Sequence, residues 1–238
     1  KADYTVYFYS RSDKPLKDYG VWQAEIPDNA KRRLWDVVTP EYAGYIENAT
    51  ITPRPSSAEG KHIGFYNEFP TRQGEQVTLR TAISFVSPKG AEANFNAELK
   101  DGDFDSYREK AASMWDRELS KIKIEGGTDD QRTIFYTALY HTMIDPRDFS
   151  DVTGEYIGGD GQKHKAESFT KRTVFSGWDV FRSQFPLQNI INPQVVNDVV
   201  NSFITLAEEN GSEVFERWEF LNAYSGCMIG NPAIAVVL

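Results

Sequence analysis

The sequence contains few of the residues that build disulfide or metal frameworks. Its 238 residues include one cysteine, Cys227, and three histidines, His62, His141 and His164. A single cysteine excludes an internal disulfide framework, and the histidines lack the spacing of a zinc site. We therefore expect a globular protein without zinc, in which the histidines are packed side chains.

The sequence also has fewer basic residues than acidic ones. Lysine and arginine number 26 against 35 acidic residues, which gives a net charge of −9. Binding to phosphates requires a basic face, so the composition argues against a nucleic acid or an anionic membrane as partner. No apolar run approaches the roughly 20 residues of a membrane span, and the opening residues carry no signal-peptide pattern. Neutral or cationic ligands fit this composition better.

Apolar residues are abundant enough for a real core, at 40% hydrophobic and 13% aromatic. Both ends of the sequence lie in apolar segments, YTVYFY at residues 4–9 and AIAVVL at the end. Neither segment carries the start or stop signals of a domain edge. This pattern predicts a piece of a longer protein, truncated at both ends.

The first hundred residues have the alternation of β-strands. The clearest strand is predicted at 77–85, with one apolar and one polar set of side chains. The apolar set, predicted to face the core, is Val77, Leu79, Thr81, Ile83 and Phe85, and the outer set is Thr78, Arg80, Ala82 and Ser84. Recurrent strands without helical patterns between them favour two packed antiparallel sheets.

Beyond residue 101 the hydrophobic period changes from two to about 3.6, which indicates helices. A first helix follows residues 101–103. A second begins at the capping-box pattern Thr128 to Gln131. The helix with the clearest signals spans about 193–209, with Asn192 predicted as its cap, Pro193 at its first position and Asn210-Gly211 at its end. The second half is therefore predicted to be helical apart from its loops.

A polar loop is predicted at residues 147–174 between two of these helices. Loops of such length in compact domains are usually functional, so this one is a candidate to line a cleft. Its acids, Asp148, Asp151, Glu155 and Asp160, resemble a calcium loop only loosely, because they lack the alternate spacing of such a loop.

The stretch VFSGWDVFRSQFPL, residues 174–187, holds the densest mixture of aromatic and charged side chains. A short helix is predicted from Trp178 to about Phe185, since Pro186 disfavours helical geometry at the residue before it. Spacings of three and four residues then place Trp178, Phe181 and Phe185 on one side of this helix.

Asp179 and Arg182 become neighbours on another side of the same helix. An acid, a cation and an indole in one place suit a sugar, because the carboxylate accepts from hydroxyls and the indole covers the apolar C–H face. The alternative is a surface ion pair beside a core aromatic stripe.

Several segments together resemble glycoside hydrolase family 92, the calcium-dependent exo-acting α-mannosidases. The β-rich half carries YFYSRSDKPLKDYGVW and VTLRTAISFVSPKGAEANFNAEL; the helical half carries FYTALYHTMIDPRDFSDVTGEYIGGDG, FSGWDVFRSQFPL and SGCMIGNPAIAV. They follow the family's order and approximate spacing over nearly the whole chain.

This resemblance implies a multi-domain α+β fold, in which an antiparallel β-sandwich precedes an (α/α)6 helical barrel. The implied boundaries are a sandwich at 1–100 that is incomplete at its start, a linker helix and short strand at 101–127, and the first part of the barrel at 128–238. The active site is then expected where sandwich and barrel meet.

The resemblance also implies a function. Such enzymes hydrolyse terminal non-reducing α-linked mannose from glycans, including N-glycans, with inversion, while a calcium ion contacts the 2- and 3-hydroxyls. Trp178 and Asp179 match the Trp-Asp pair that holds the terminal mannose, with Asp179 on the 4- and 6-hydroxyls, and Arg182 is expected to orient Asp179. A secreted or periplasmic location follows from the same resemblance.

Two departures from the family pattern bear on activity. The chain has Ala223-Tyr224-Ser225 where the resemblance predicts Glu-Thr. In the family, the catalytic acid, the base and most calcium ligands lie on later barrel segments. We therefore assign no catalytic residue here and expect these 238 residues alone to be inactive.

The sequence also fits two other functions. One is a different glycosidase with a sandwich and a helical barrel, acting on another sugar. The other is a non-catalytic carbohydrate-binding protein that keeps the aromatic and acidic pocket. The sequence does not indicate an oligomeric state.

Overall fold

A computed structural model describes residues 3–212 and 214–237. The strands are β1 Tyr7–Ser12, β2 Asp18–Gln23, β3 Arg33–Leu34, β4 Val37–Val38, β5 Thr50–Pro53, β6 Ile63–Glu68, β7 Leu79–Ser84, β8 Arg147–Asp148, β9 Glu155–Ile157, β10 Lys163–Lys165, β11 Arg172–Thr173, β12 Phe175–Ser176, β13 Trp218–Phe220 and β14 Ala223–Tyr224. The helices are α1 Pro40–Glu47, α2 Pro88–Glu98, α3 Phe104–Leu119, α4 Asp129–His141, α5 Gly177–Val180, α6 Gln184–Ile191, α7 Pro193–Glu209 and α8 Ala233–Val237.

The described chain divides into two compact units. One is formed by residues 11–79, and the other by the described parts of 1–10 and 80–238. Helices and sheets both occur, so the predicted α+β class is confirmed. The sandwich, the barrel and the predicted boundaries at 100 and 128 stay predictions.

The unit of residues 11–79 is built on a three-stranded antiparallel sheet. Strand β2 is central and pairs with β5 on one side and β6 on the other. Its single helix, α1, begins where the Thr39 side chain accepts a hydrogen bond from the Tyr42 N–H and Pro40 occupies the first turn. Threonine at the cap and proline behind it are typical of a helix start.

The larger unit contains both of the described hydrophobic clusters. One cluster packs α7 against the segment around α5, and its buried side chains are Phe175, Val180, Phe185, Val199, Phe203 and Ala233. The second cluster lies under the loop that follows α4, and its buried side chains are Phe149, Tyr156 and Ala166. Among the described residues, no helix is both long enough and apolar enough to traverse a lipid bilayer.

The predicted helix starts in this unit are confirmed. The Thr128 side chain and Gln131 form a reciprocal capping box at the start of α4. Helix α7 begins at Pro193 as predicted and ends at Glu209, followed by its C-cap Asn210 and by Gly211 with φ +60°. The predicted cap at Asn192 is wrong, because its side-chain oxygen accepts from the Lys121 ammonium instead of a backbone N–H of α7.

The predicted orientation of the strand at 77–85 is wrong. Leu79 and Ile83 are 55% and 52% exposed, whereas Ser84 is 2% exposed. The reason is helix α2, which lies against the predicted outer face: the Arg80 guanidinium is 5.5 Å from the Phe95 ring, and Arg80 also donates to Leu99 O. Because α2 packs on the set of side chains that includes Ser84, that face of the strand is buried, and not the face that the alternation predicts.

The region after residue 120 also departs from the helical prediction. Residues 122–126, predicted as a short strand, form turns and irregular backbone. The predicted loop at 147–174 contains strands, because β9 pairs with β10 and β11 pairs with β8. Strands of two or three residues are too short for alternation to reveal them.

Gly90 is the position in α2 where the packing leaves no room for a side chain. A Cβ there would lie 2.1 Å from Asp151 Oδ2 and 2.6 Å from Ser84 Oγ. Alanine normally favours a helix by up to about 1 kcal/mol over glycine. Here the overlap with a buried carboxylate reverses the sign, so we expect Gly90→Ala to lower the free energy of unfolding by about 2 kcal/mol.

Urea unfolding followed by circular dichroism measures this effect. Lys89→Ala, on the exposed side of the same helix, is the matched control and should change the free energy of unfolding by less than about 0.5 kcal/mol. A Gly90→Ala protein as stable as the wild type would contradict the close packing of α2 on Asp151.

Candidate sugar-binding site

The segment that carries the predicted site is held by two buried side chains. Strand β12 and helix α5 follow each other directly, and Phe175 and Val180 are 5% and 6% exposed in the cluster against α7. The residues between them are less buried: Trp178 is partly exposed and Asp179 is exposed. Phe175 and Val180 therefore anchor the segment, while Trp178 and Asp179 remain accessible.

Asp179 is held in place by Ser176. The Ser176 hydroxyl donates to Asp179 Oδ2 at 2.6 Å, and the Asp179 N–H donates to the Ser176 Oγ at 3.1 Å. Ser176 is also the residue that caps α5. Within the described part of the chain, no other side chain bonds to the Asp179 carboxylate, so Oδ1 can accept hydrogen bonds from a ligand.

Arg182 lies over aromatic rings. Its guanidinium carbon is 4.4 Å from the centre of the Trp178 ring and 4.9 Å from that of Phe181. Arg182 was expected to orient Asp179, but the described residues include no ion pair between the two, and Ser176 supplies that contact. The guanidinium covers one side of the indole.

The predicted helix from Trp178 to Phe185 is interrupted. Helix α5 ends at Val180, and α6 begins at Gln184 with Pro186 inside its first turn. Proline is tolerated there because the first-turn N–H groups have no partner within the helix. Trp178 and Phe185 therefore lie on different helices, and Phe185 is buried at 3% exposure.

The support behind this segment comes from β13, which the sequence analysis missed. In the pairing of β12 with β13, Phe175 lies opposite Glu219 and Ser176 opposite Trp218. Glu219 is 3% exposed. Burial raises the pKa of its carboxyl, and hydrogen bonds from the backbone of Asn222, from Thr173 and from the backbone of Val174 act in the opposite direction. The sequence signal for this buried acid was its position within the otherwise apolar stretch WEFL.

The acids of the loop at 147–174 do not converge on one point. Their partners are Arg172 for Asp148, Ser84 and Asn94 for Asp151, Lys163 for Glu155, and His164 for Asp160. In residues 3–212 and 214–237, no group of three or more histidine, cysteine, aspartate or glutamate side chains could hold a metal ion. The acids of this loop therefore form no shared carboxylate cluster in the described part of the chain.

The same loop lines a cleft in the larger unit, as its length suggested. A cavity of about 610 Å³ is bordered by residues 148 and 150–154 and by residues 165–167, 169 and 170. Asn94 and Glu98 of α2 complete its border. Trp178, Asp179 and Arg182 do not line this cavity, so it is separate from the predicted sugar-binding residues.

Comparisons with known proteins bear directly on this site. Residues 90–238 match the model of the glycosyl hydrolase family 92 catalytic domain, which is more than half of the chain. An uncharacterized secreted glycosidase of Arthroderma benhamiae is 37% identical over 116 residues, which are 47% of this chain and 13% of that protein.

Two solved structures from Bacteroides thetaiotaomicron are similar over the whole fold. A family 92 α-mannosidase is 30% identical with a TM-score of 0.76, over 97% of this chain and 29% of its own. A family 92 inverting mannosidase is 28% identical with a TM-score of 0.81, over 100% of this chain and 29% of its own. The first has also been solved in complex with mannoimidazole.

The chain spans less than a third of the length of these relatives. The family match nevertheless includes the segment that carries Trp178, Asp179 and Arg182, and the likeness to the solved structures extends beyond it to nearly all residues. The resemblance read from the sequence motifs is thereby confirmed, and the chain belongs to glycosyl hydrolase family 92.

Proposed function

We propose that this chain is the mannose-binding part of a longer enzyme that removes terminal non-reducing α-linked mannose from glycans with inversion. The observation that carries the proposal is the exposed Asp179 carboxylate, held by Ser176 beside the Trp178 indole. A fixed carboxylate with a free oxygen can accept from sugar hydroxyls, while the indole covers the C–H face. Neighbours that are α-mannosidases, one solved with mannoimidazole, support mannose as the sugar.

The proposal divides the chemistry between segments. An inverting glycosidase needs two carboxyl groups about 6.5–9.5 Å apart, one to protonate the leaving oxygen and one to activate water. We assign neither role to a residue of this chain and place both on segments outside it. The antiparallel sandwich and the (α/α)6 barrel are the architecture proposed for the longer protein.

Calcium is part of the proposal for the longer protein. It would polarise the mannose 2- and 3-hydroxyls, which are hard oxygen ligands of the kind calcium prefers. Among the described residues, no group of three or more histidine, cysteine, aspartate or glutamate side chains could hold a metal, and we propose that the calcium ligands lie on segments outside this chain. In this chain, Asp179 acts on the sugar by accepting hydrogen bonds, and Trp178 acts by covering one face.

The partner proposed is a mannose-containing glycan, N-glycans included, and the proposed location is secreted or periplasmic. A relative that is a secreted glycosidase supports the location. The net charge of −9 favours a neutral ligand over a polyanion.

An assay with 4-nitrophenyl α-mannoside tests the function. We expect a longer protein that contains this chain to hydrolyse it and to release β-mannose first, seen by proton NMR before mutarotation. The 238 residues alone should hydrolyse none. The matched α-glucoside and α-galactoside serve as controls for sugar identity.

Each alternative gives a different result. Preferential cleavage of the glucoside or galactoside would identify another glycosidase. Binding of mannose without hydrolysis by the longer protein would identify a carbohydrate-binding protein. Release of α-mannose first would contradict inversion.

A further inference from the structure

Glu219 is a buried carboxylate on the strand next to the predicted sugar-binding segment. It accepts hydrogen bonds from three different residues. The Val174 N–H donates to Oε2 at 2.8 Å and the Asn222 N–H to Oε1 at 2.6 Å, while the Thr173 hydroxyl lies 2.9 Å from both oxygens. Thr173 in turn accepts from the Leu221 N–H at 2.9 Å.

The backbone around this carboxylate is strained. Val174, Leu221 and Asn222 have φ angles of +60°, +51° and +65°, in the left-handed region. For a β-branched residue such as Val174 this is a genuine outlier, and such a conformation is unfavourable. Such conformations persist only where the surroundings determine them, and Glu219 bonds directly to two of these residues and through Thr173 to the third.

Val174 lies on the same short segment as Asp179. It directly precedes β12, whose Ser176 holds the Asp179 carboxylate. The Trp178 N–H also donates to Arg217 O at 3.3 Å, just before the strand that carries Glu219. A change in the Val174 backbone would therefore be passed to Ser176.

We propose that Glu219 is a positioning residue, whose buried carboxylate fixes the backbone of Val174 and thereby the orientation of Ser176 and Asp179. The proposal rests on the proposed function, in which Asp179 binds the sugar. Glu219 itself touches no substrate. It acts only through the Asp179 side chain.

Glu219→Gln is the direct test, made in the longer enzyme and assayed with 4-nitrophenyl α-mannoside. The amide has nearly the same shape, but one oxygen acceptor becomes an NH2 donor that opposes the donors facing it. We expect kcat/KM to fall about tenfold. In an Asp179→Ala background the same change should alter kcat/KM less than twofold, because nothing remains to be positioned.

This double-mutant cycle separates positioning from general destabilisation. A loss of overall stability would reduce activity equally in both backgrounds. Glu209→Gln provides the matched control, since Glu209 is another buried carboxylate that accepts from Tyr156 and from the Gly159 N–H. It should lower Tm while leaving kcat/KM within twofold of the wild type.

Thr173 gives a second pair of variants if Glu219→Gln does not fold. Thr173→Val removes the hydroxyl at nearly constant volume and should lower kcat/KM several-fold, whereas Thr173→Ser keeps the hydroxyl and should retain activity. Equal activity of the two Thr173 variants would overturn the proposal.

The outcomes also distinguish this inference from the proposed function. If Asp179→Ala lowers kcat/KM at least tenfold but Glu219→Gln stays within twofold of the wild type, only the positioning role fails. A tenfold loss from Glu219→Gln that persists in the Asp179→Ala background equally overturns it. If Asp179→Ala stays within threefold of the wild type, the sugar-binding role fails and the positioning role falls with it.

Discussion

Replacing Asp179 with alanine is expected to lower kcat/KM for aryl α-mannosides by at least tenfold and by about a hundredfold in the longer enzyme. In the proposed function, this carboxylate accepts from two sugar hydroxyls. Hydrogen bonds to a charged partner contribute about 1.5–3 kcal/mol each, and a hundredfold corresponds to about 2.7 kcal/mol of lost transition-state stabilisation. The estimate is below the sum of two bonds because water partly replaces the carboxylate.

Steady-state kinetics with 4-nitrophenyl α-mannoside measure the loss, with Tm recorded for each variant. Asp105→Ala is the matched control, because Asp105 is an exposed carboxylate on α3 that pairs with Arg108 three residues on. It should leave kcat/KM unchanged within twofold. An Asp179→Ala enzyme with a normal Tm and activity within threefold of the wild type would remove Asp179 from the site.

Helices α3, α4 and α7 were predictable because their signals are local, whereas α1 and α2 contradict the prediction of strands alone in the first hundred residues. The reciprocal bonds of Thr128 and Gln131 depend on a spacing of three residues, and Pro193 fixes its own φ at the start of α7. Such signals do not depend on what packs against the helix. The family could also be identified from the sequence, because its motifs are short segments that keep their order along the chain.

The features that the sequence did not predict depend on distant contacts. The buried face of β7 is decided by α2, which brings Gly90 against Ser84 and Asp151. Alternation alone favours burial of Leu79 and Ile83, and only the packed structure selects the smaller side chains. Pro186 was misinterpreted for a similar reason. A proline that follows the end of one helix and a proline in the first turn of the next helix have the same sequence pattern.

The sequence predicted which residues form the candidate site, but it predicted only part of their arrangement. The structure places Trp178 and Asp179 in one short helix and Arg182 against the indole. Their role in binding sugar stays a prediction. Ser176 was missed although it is three residues from Asp179, and Glu219 was missed because its partners, Thr173 and Val174, are more than forty residues away.

Removal of calcium is expected to abolish activity of the longer enzyme. Excess EDTA should reduce hydrolysis of 4-nitrophenyl α-mannoside to background, and added calcium should restore it better than zinc does. Calcium takes six to eight oxygen ligands and tolerates sugar hydroxyls among them, whereas zinc prefers four nitrogen or sulfur ligands. The chain offers one cysteine and three scattered histidines, which do not form a zinc site.

The isolated chain provides the control for this experiment. Because its described acids are engaged by separate partners such as Arg172, Lys163 and His164, no calcium-binding cluster forms among them. Its Tm should therefore be the same in calcium and in EDTA, whereas calcium should raise the Tm of the longer enzyme, since a ligand that binds only the folded state stabilises it. Full activity in excess chelator would contradict the calcium proposal, and a calcium-dependent Tm of the isolated chain would place the metal ligands within these 238 residues.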